Sequence, residues 1–193
     1  LEESLAGMGS VLVAFSGGVD STFLAAVAAR VLGDRALAVT ATSPTFPKRE
    51  RDEAVELARR IGIRQRLVES HELEIPGYTD NPTDRCYHCK AELFGILQKV
   101  AREEGIAHVL DGSNVDDLGD YRPGRKALLE MQVRSPLLEA GFPKAEIREA
   151  SRAMGLPTAD KPPYACLASR FPYGAKITVE ALGTVERAED ALR

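Results

Sequence analysis

The chain has 193 residues, of which 44% are hydrophobic and 28% are charged, and its formal net charge is −4 at pH 7. This length and composition are typical of one globular α/β domain. The net negative charge gives no support for a large nucleic-acid footprint, and no apolar run approaches the length of a membrane span. We therefore expect a protein with neither a nucleic-acid nor a membrane partner.

The first predicted unit is a strand, a glycine turn and a helix. The apolar run Val11–Phe15 predicts a buried strand, Ser16–Ser21 reads SGGVDS, and an alanine-rich helical stretch then continues to Gly33. Gly17 and Gly18 leave bare backbone beside which an anion fits, and the first N–H groups of the helix have no intrahelical partner. Because these groups and the helix dipole point into the turn, we predict a phosphate site.

The same turn carries polar side chains that suit a nucleotide. Ser16 and Ser21 supply hydroxyl donors, whereas Asp20 would repel a bare phosphate, so we expect Mg²⁺ between them. The turn lacks both the Gly-Lys-Ser/Thr ending of a Walker A loop and the third glycine of the dinucleotide fingerprint. It resembles the PP-loop of ATP pyrophosphatases (adenine nucleotide alpha hydrolase-like domains), which split ATP between its α and β phosphates. The resemblance implies that Asp20 is catalytic and that the nucleotide is bound by Ser16, Gly17, Gly18, Asp20 and Ser21.

Further strands are predicted downstream, alternating with helices. Ala36–Ala41, Arg64–Val68 and His108–Leu110 are predicted strands, and Val133–Leu138 is predicted as a fifth. Strands that alternate with helices imply right-handed crossovers and a parallel sheet with helices on both faces. The predicted fold class is therefore α/β.

Two loops follow the carboxyl ends of predicted strands, where ligands of parallel sheets bind. Thr42 lies in the loop after the second strand, and Gly112 lies in the loop after the fourth. We predict that both contact the nucleotide, Thr42 near the adenine. Residues 1–175 are expected to form the PP-loop domain, and residues 176–193 to begin a C-terminal segment.

The three cysteines are the second informative feature. Cys86 and Cys89 form a C-x-x-C pair at the start of a predicted helix, and Cys166 lies in a distant loop. The helix dipole is expected to lower the pKa of the paired thiols. The spacing leaves three interpretations open: a [4Fe–4S] cluster with one open iron, a structural zinc site with His88 or another group as fourth ligand, or inert thiols. An odd number of cysteines argues against a disulfide framework and indicates a reducing cytoplasm.

Candidate ligands of a substrate phosphate lie in two loops. Arg170 stands four residues after Cys166, with Ser169 beside it, and Arg122 belongs to a compact basic loop. An arginine can bind a phosphate bidentately, although either side chain could equally be solvated. We predict a substrate-phosphate site at Ser169, Arg170 and Arg122.

Several motifs in one order narrow the family. SGGVDS is followed by DRCYHCK (84–90), LDGSNVDD (110–117), DYRPGRKA (120–127), RSPLLEAGFPKAEIR (134–148), GLPTADKP (155–162) and ACLASRFPYG (165–174). Together they resemble the LarE family, the ATP-dependent sulfur transferases of nickel-pincer nucleotide cofactor synthesis. SGGVDS alone indicates only the superfamily, whereas DYRPG and the stretch from the last cysteine to FPYG are much narrower signals.

The resemblance implies a specific reaction. ATP adenylates a carboxylate of pyridinium-3,5-biscarboxylate mononucleotide with release of pyrophosphate, and a sulfur nucleophile then displaces AMP to leave a thiocarboxylate. Cys166 is implied as the catalytic cysteine, and Cys86, Cys89 and Cys166 as ligands of a [4Fe–4S] cluster that delivers sulfide. Members with the downstream cysteine alone sacrifice its sulfur. The resemblance also implies a homo-oligomer, a trimer or a hexamer.

Other functions remain open at this point. An amidating ligase of the NAD/GMP-synthase-like type would need an ammonia source and no cysteine triad. A tRNA-thiolating enzyme would need a strongly basic surface, against which the net charge of −4 argues. A non-enzymatic nucleotide-binding metal module would bind ATP without releasing pyrophosphate.

Overall fold

One parallel sheet forms the centre of the molecule. The computed structural model describes residues 1–119 and 123–192. Within them, the strands are β1 (Val11–Ala14), β2 (Ala36–Thr42), β3 (Arg64–Glu69) and β4 (His108–Leu110). Their order is β3-β2-β1-β4, and every neighbouring pair is parallel. The predicted α/β class and these four predicted strands are confirmed.

Helices connect the strands and cover the sheet. Their bounds are α1 (Glu2–Met8), α2 (Val19–Leu32), α3 (Lys48–Ile61), α4 (Arg85–Glu103), α5 (Gly124–Glu130), α6 (Pro136–Glu139), α7 (Lys144–Ala153) and α8 (Val179–Ala191). A short 3₁₀ turn at Leu167–Arg170 follows the last cysteine. Among the described residues, none of the helices combines the length and the apolar character that a membrane crossing requires.

Alternate residues of the central strand pack against different helices. Val11 and Val13 belong to the apolar cluster with α1, α2, α3 and α7. Leu12, between them, belongs to a second cluster with Phe94 and Leu97 of α4 and with α5. Side chains of a strand point to opposite faces in turn, so these two clusters lie on the two faces of the sheet. The prediction of helices on both faces is confirmed.

The predicted fifth strand, Val133–Leu138, is wrong. Arg134 makes an isolated parallel bridge to Leu110, and α6 begins two residues later at Pro136. Proline has no N–H to donate to a sheet ladder, and its fixed φ suits the first turn of a helix. Leu137 therefore packs in the core from α6 rather than extending the sheet.

The helix α8 packs on the segment that carries the last cysteine. Ile177 and Leu182 form a third apolar cluster with Leu167 and Ala168 of the 3₁₀ turn, and all four are buried. This packing holds α8 next to Cys166 and next to the loop after β2, because Leu167 N donates to the Thr45 carbonyl at 2.9 Å.

Candidate active site

The SGGVDS turn is closed by its two serines. Ser16 N donates to Ser21 Oγ at 3.3 Å, the two hydroxyl oxygens are 3.2 Å apart, and Ser21 Oγ donates to the Gly18 carbonyl at 3.2 Å. These hydroxyl contacts are longer than the O–H···O bonds of about 2.7–2.8 Å that are most common in proteins. The serines therefore shape the turn through long contacts, which an arriving phosphate oxygen can replace at little cost.

The two glycines of the turn have different roles. Gly17 has a φ of +72°, and a Cβ there would lie 3.2 Å from the Cα and Cβ of Ala54 in α3. Gly18 precedes α2 in an extended conformation, and no side chain caps the helix. The first N–H groups of α2 are therefore left for a ligand, as the phosphate-site prediction requires.

The loop after β4 lies directly against this helix N-terminus. A Cβ on Gly112 would be 3.1 Å from the backbone nitrogen of Ser21 and 3.3 Å from the Cβ of Asp20. The structure thus brings Gly112 to the turn, although the two are distant in sequence. Its contact with the nucleotide stays a prediction.

Asp20 has one paired and one unpaired carboxylate oxygen. Its Oδ2 contacts Lys144 Nζ at 2.5 Å, whereas its buried Oδ1 has no hydrogen-bond partner among the described residues. An unsatisfied buried oxygen is costly, and Mg²⁺ is commonly held by one or two carboxylates together with substrate phosphates. The free oxygen of Asp20 therefore fits the predicted Mg²⁺.

Two lysines at the turn were missed by the sequence analysis. Lys144 contacts Asp20, and Lys161 Nζ donates to the Gly17 carbonyl at 3.2 Å and to Glu50 at 2.8 Å. Lys161 also lies 3.0 Å from Glu53. The signal was present in the sequence, because both lysines fall inside quoted motifs, but only the fold brings these motifs to the SGGVDS turn.

Lys144 is held in place by the loop after β4. Asp116 Oδ2 accepts a hydrogen bond from Lys144 N at 2.8 Å, and Val115 N donates to the Phe142 carbonyl at 3.1 Å. Because Lys144 is the first residue of α7, these two bonds fix the start of that helix. The loop that brings Gly112 to the turn therefore also places Lys144 there.

Thr42 lies at a cavity beside the carboxyl ends of β2 and β3. The cavity has a volume of about 490 Å³, and Ser43, Phe46, Arg51 and His71 also line it. The hydroxyl of Thr42 donates to the Val68 carbonyl at 3.2 Å. The Thr42 hydroxyl is thus already engaged within the sheet, and the predicted adenine contact stays a prediction.

Three free thiols share one neighbourhood, although they come from two distant segments. Cys86 is exposed, and Cys89 and Cys166 are partly buried. Burial raises the pKa of the Cys89 thiol to about 12; the charge of Glu72 adds to this rise, that of Lys90 opposes it, and Cys166 and Cys86 add smaller contributions. The predicted lowering of the pKa by the helix dipole is therefore wrong for Cys89, because desolvation of the thiolate outweighs it.

The pKa of the Cys166 thiol is influenced by a neighbouring arginine. Burial raises the pKa of the Cys166 thiol, while the positive charge of Arg85 opposes this shift and a charge on Cys86 adds to it. Arg85, which directly precedes Cys86, donates from Nη1 to the Ala168 carbonyl at 2.9 Å, and Ala168 lies two residues after Cys166. The Cys166 segment is therefore brought to the start of α4, and the shared role of the three cysteines stays a prediction.

The zinc interpretation finds no ligand set in the described part of the chain. No group of three or more His, Cys, Asp or Glu side chains there is arranged to hold one metal ion, and His88 Nε2 instead lies 3.5 Å from Asp84. A [4Fe–4S] cluster is bound at separate iron atoms, so its ligands stand further apart than those of a single ion. The cluster interpretation stays a prediction.

The predicted substrate-phosphate ligands lie on the turn after Cys166. Ser169 Oγ donates to the Cys166 carbonyl at 2.6 Å, and Arg170 Nη1 donates to Ser169 Oγ at 3.1 Å. Arg170 also pairs with Glu189 of α8 at 2.5 Å. Arg122 lies outside the described residues. The structure thus brings Ser169 and Arg170 to the thiols and leaves their phosphate role a prediction.

The parallel sheet, with a glycine turn and an uncapped helix between β1 and α2, defines a PP-loop ATP pyrophosphatase. Residues 2–156 match the family model described as Asparagine synthase. The chain is 39% identical over 184 residues to the pyridinium-3,5-bisthiocarboxylic acid mononucleotide synthase of Lactiplantibacillus plantarum, a match that covers 95% of this chain and 67% of the synthase. The chain belongs to this LarE family and is an ATP-dependent enzyme.

Other relatives cover a similar stretch. An uncharacterized protein of Synechocystis sp. is 52% identical over 182 residues, which are 94% of this chain and 68% of that protein. A glutamine-hydrolyzing GMP synthase polypeptide of Methanococcus maripaludis is 28% identical over 187 residues, covering 90% of this chain and 57% of that polypeptide. The GMP synthase polypeptide, which represents the amidating-ligase alternative, is thus a more distant relative of this chain than the bisthiocarboxylic acid mononucleotide synthase.

Replacing Gly112 by alanine is expected to weaken binding of a Mg²⁺-bound, non-hydrolysable ATP analogue roughly tenfold or more, because the added Cβ displaces the start of α2. Calorimetric titration measures the affinity. Gly119→Ala is the matched control in the same loop region, since a Cβ there meets nothing within 4 Å. Equal affinity in the two variants would contradict the contact between this loop and the nucleotide site.

Proposed function

We propose that this protein is an ATP-dependent sulfur transferase that adenylates the carboxylates of pyridinium-3,5-biscarboxylate mononucleotide and converts them to thiocarboxylates for the nickel-pincer cofactor. The observation that carries the proposal is the 39% identity, over 95% of the chain, to a synthase named for the bisthiocarboxylic product. The two parts of the required chemistry, an ATP turn and a group of thiols, both belong to this chain.

In the adenylation step, a substrate carboxylate oxygen attacks the α-phosphorus of ATP. The bond between that phosphorus and the bridging oxygen breaks, and pyrophosphate leaves with its negative charge. The N–H groups of α2 together with Lys144 and Lys161 are placed to compensate this charge. Asp20 would hold Mg²⁺, which supplies further positive charge at the departing phosphates.

In the second step, a hydrosulfide sulfur attacks the acyl carbon of the adenylate. The bond from that carbon to the AMP oxygen breaks, AMP leaves, and the proton of the hydrosulfide passes to solvent, so that a thiocarboxylate remains. A carboxylate alone is a poor electrophile, and AMP makes a good leaving group. An anionic sulfur is an effective nucleophile near neutral pH.

We propose Cys86, Cys89 and Cys166 as ligands of a [4Fe–4S] cluster, which when bound supplies sulfide without consuming the chain. The hydrogen bond from Arg85, next to Cys86, to the carbonyl of Ala168, two residues after Cys166, supports this assignment. Because burial holds Cys89 and Cys166 as neutral thiols, binding the cluster must release their protons. Three free thiols also suit a reducing compartment, for which we propose the cytoplasm.

We assign the substrate phosphate to Arg170, with Ser169 beside it. A phosphate held there would anchor the substrate on the same short turn that follows Cys166. In the structure, the guanidinium of Arg170 is partly exposed and pairs with Glu189, so an arriving phosphate must compete with this carboxylate. Arg122 is a further candidate from the basic loop.

The proposal is tested by separating adenylation from sulfur transfer. Cys166→Ser is expected to retain substrate-dependent pyrophosphate release and to lose thiocarboxylate formation, because the ATP turn is intact and the sulfur site is not. Asp20→Asn is expected to lose both, since it removes the charge that holds Mg²⁺. A pyrophosphate assay and mass spectrometry of the product measure the two steps.

The rivals predict different products. Full sulfur transfer by Cys166→Ser would overturn the proposal, and an amide formed when ammonium is supplied would indicate an amidating ligase. ATP binding without pyrophosphate release for any substrate would indicate a non-enzymatic module.

Metal and sulfide content test the cluster. Anaerobically purified protein is expected to contain about four irons and four acid-labile sulfides per chain, and Cys86→Ala is expected to lose them. Ser169→Ala, which keeps all three thiols, is the matched control and should retain them. Protein without metal that loses the mass of one sulfur during turnover would instead show that Cys166 gives up its own sulfur. Stoichiometric zinc would contradict both routes.

Substituting the carboxylate that competes for Arg170 tests the phosphate site. Glu189→Gln is expected to lower KM for the nucleotide substrate roughly two- to fivefold, the range that an exposed ion pair contributes, and to leave KM for ATP unchanged. Glu180→Gln is the matched control on the same helix, because Glu180 lies exposed in its first turn, away from the Arg170–Glu189 pair and from the lining of the Thr42 cavity. Steady-state kinetics measure both variants, and an increased KM in Glu189→Gln would mean that this carboxylate orients Arg170 instead.

A further inference from the structure

We infer that Arg85 is a positioning residue for the sulfur chemistry. Its guanidinium holds the Cys166 segment against the start of α4 and supplies the positive charge that an anionic sulfur at these cysteines needs. The reaction that Arg85 would serve rests on the proposed function. The physical basis of the role is the geometry of Arg85 itself.

Arg85 joins the two cysteine-bearing segments directly. It is the first residue of α4, one position before Cys86, and only 4% of it is exposed. Its Nη1 donates to the Ala168 carbonyl at 2.9 Å and to the side-chain oxygen of Asn81. Since Ala168 lies two residues after Cys166, this guanidinium joins the segment that carries Cys166 to the start of the helix that carries Cys86 and Cys89.

Asn81 extends this connection along the Cys166 loop. It is fully buried, with a φ of +54°, a conformation that asparagine tolerates better than most residues. Its Nδ2 donates to the Pro172 carbonyl at 2.8 Å and the Phe171 carbonyl at 3.2 Å, and its own carbonyl accepts from Gly174 N at 3.0 Å. Arg85 and Asn81 together therefore fix the path of the chain after Cys166.

The charge of Arg85 is not compensated by an acid. Among residues 1–119 and 123–192, no carboxylate forms an ion pair with it, and its hydrogen-bond acceptors are a carbonyl and an amide oxygen. The buried acid nearby, Glu72, instead accepts hydrogen bonds from the hydroxyls of Ser43 and Ser70. A guanidinium cannot lose its proton in a protein, so the positive charge is permanent.

A buried permanent charge without a counter-ion destabilises a fold. Because the Ala168 carbonyl that accepts from Arg85 lies two residues after Cys166, this buried charge stands beside the Cys166 segment. An anionic sulfur species that approaches Cys166 would supply the missing negative charge, and Arg85 would stabilise that anion more strongly than water could, because the surroundings are poorly polarisable. Arg170 is not an uncompensated cation of this kind, because its charge is already paired with Glu189.

Reagent selectivity at Cys166 tests this charge without ATP or substrate. In a chain with Cys86→Ala and Cys89→Ala, Cys166 is the one remaining cysteine. Its reaction rates are measured with a dianionic aromatic disulfide and with a neutral dipyridyl disulfide. Adding Arg85→Gln is expected to lower the ratio of the anionic to the neutral rate roughly fivefold, because the attraction of the anion is lost. A purely structural loosening would change both rates together.

Two variants serve as controls. Arg85→Lys keeps the charge and should retain most of the selectivity, whereas an equal loss of selectivity with lysine and with glutamine would show that the charge is not its source and would overturn the inference. Arg102→Gln removes the same charge from the exposed last turn of α4 and should leave the ratio unchanged. An unchanged ratio in folded Arg85→Gln, judged by circular dichroism and thermal unfolding, overturns the inference.

Comparison with a small thiol covers the case in which Arg85→Gln does not fold. In the single-cysteine chain that retains Arg85 and carries Arg170→Gln, the ratio of the anionic to the neutral rate should exceed the ratio that a small uncharged thiol gives with the same two reagents. A ratio no higher than that of the small thiol overturns the inference without any substitution at position 85.

The transfer assay separates this inference from the proposed function. Arg85→Gln is expected to lower kcat for thiocarboxylate formation roughly tenfold at unchanged KM for ATP, since the ATP turn is not altered. If the unsubstituted protein transfers no sulfur, the proposed function fails, while the rate ratio at Cys166 still decides the role of Arg85. If transfer occurs and the ratio does not respond, the function stands and the electrostatic role of Arg85 fails.

Discussion

Three segments pack closely around the N-terminus of α2, a helix that begins without a side-chain cap and so leaves its first N–H groups for a ligand. Gly17 lies against α3, Gly112 lies against the backbone of Ser21, and Asp20 contacts the first residue of α7. The sheet order β3-β2-β1-β4 is what makes this possible, because it puts β4 next to β1 and delivers the loop after β4 to the turn.

Most cations near the site are held by carboxylates. Lys144 pairs with Asp20, Lys161 with Glu50, and Arg170 with Glu189. An arriving phosphate can replace such a carboxylate. These ion pairs therefore hold each cation in position while leaving it able to exchange its carboxylate partner for a phosphate. Arg85 differs, because it is bound to neutral oxygens and no described carboxylate pairs with it. We propose the exchangeable cations as phosphate ligands, whereas Arg85 lies beside the Cys166 segment.

The thiols present a conflict that the surroundings must resolve. Burial favours the neutral forms of Cys89 and Cys166, whereas sulfur transfer requires an anionic sulfur. A buried positive charge beside the thiols reduces this conflict without exposing them to water. The same segment also contacts the loop after β2, where Leu167 N donates to the Thr45 carbonyl, so the sulfur site and the strand ends of the sheet form one continuous structure.

The local elements of this protein follow from its amino-acid sequence. SGGVDS between an apolar run and an alanine-rich stretch predicted the β1 turn and α2, because strand and helix periods and glycine turns are local signals. The strand predicted at Val133–Leu138 failed, since Pro136 determined the local structure against an apolar pattern. Only the tertiary structure brings Lys144 and Lys161 to the turn. It also raises the pKa of Cys89 through burial and places Arg85 against the Cys166 segment. These properties arise from residues far apart in sequence. No local sequence pattern indicates how close such residues come in the folded chain, or how far folding excludes water from them.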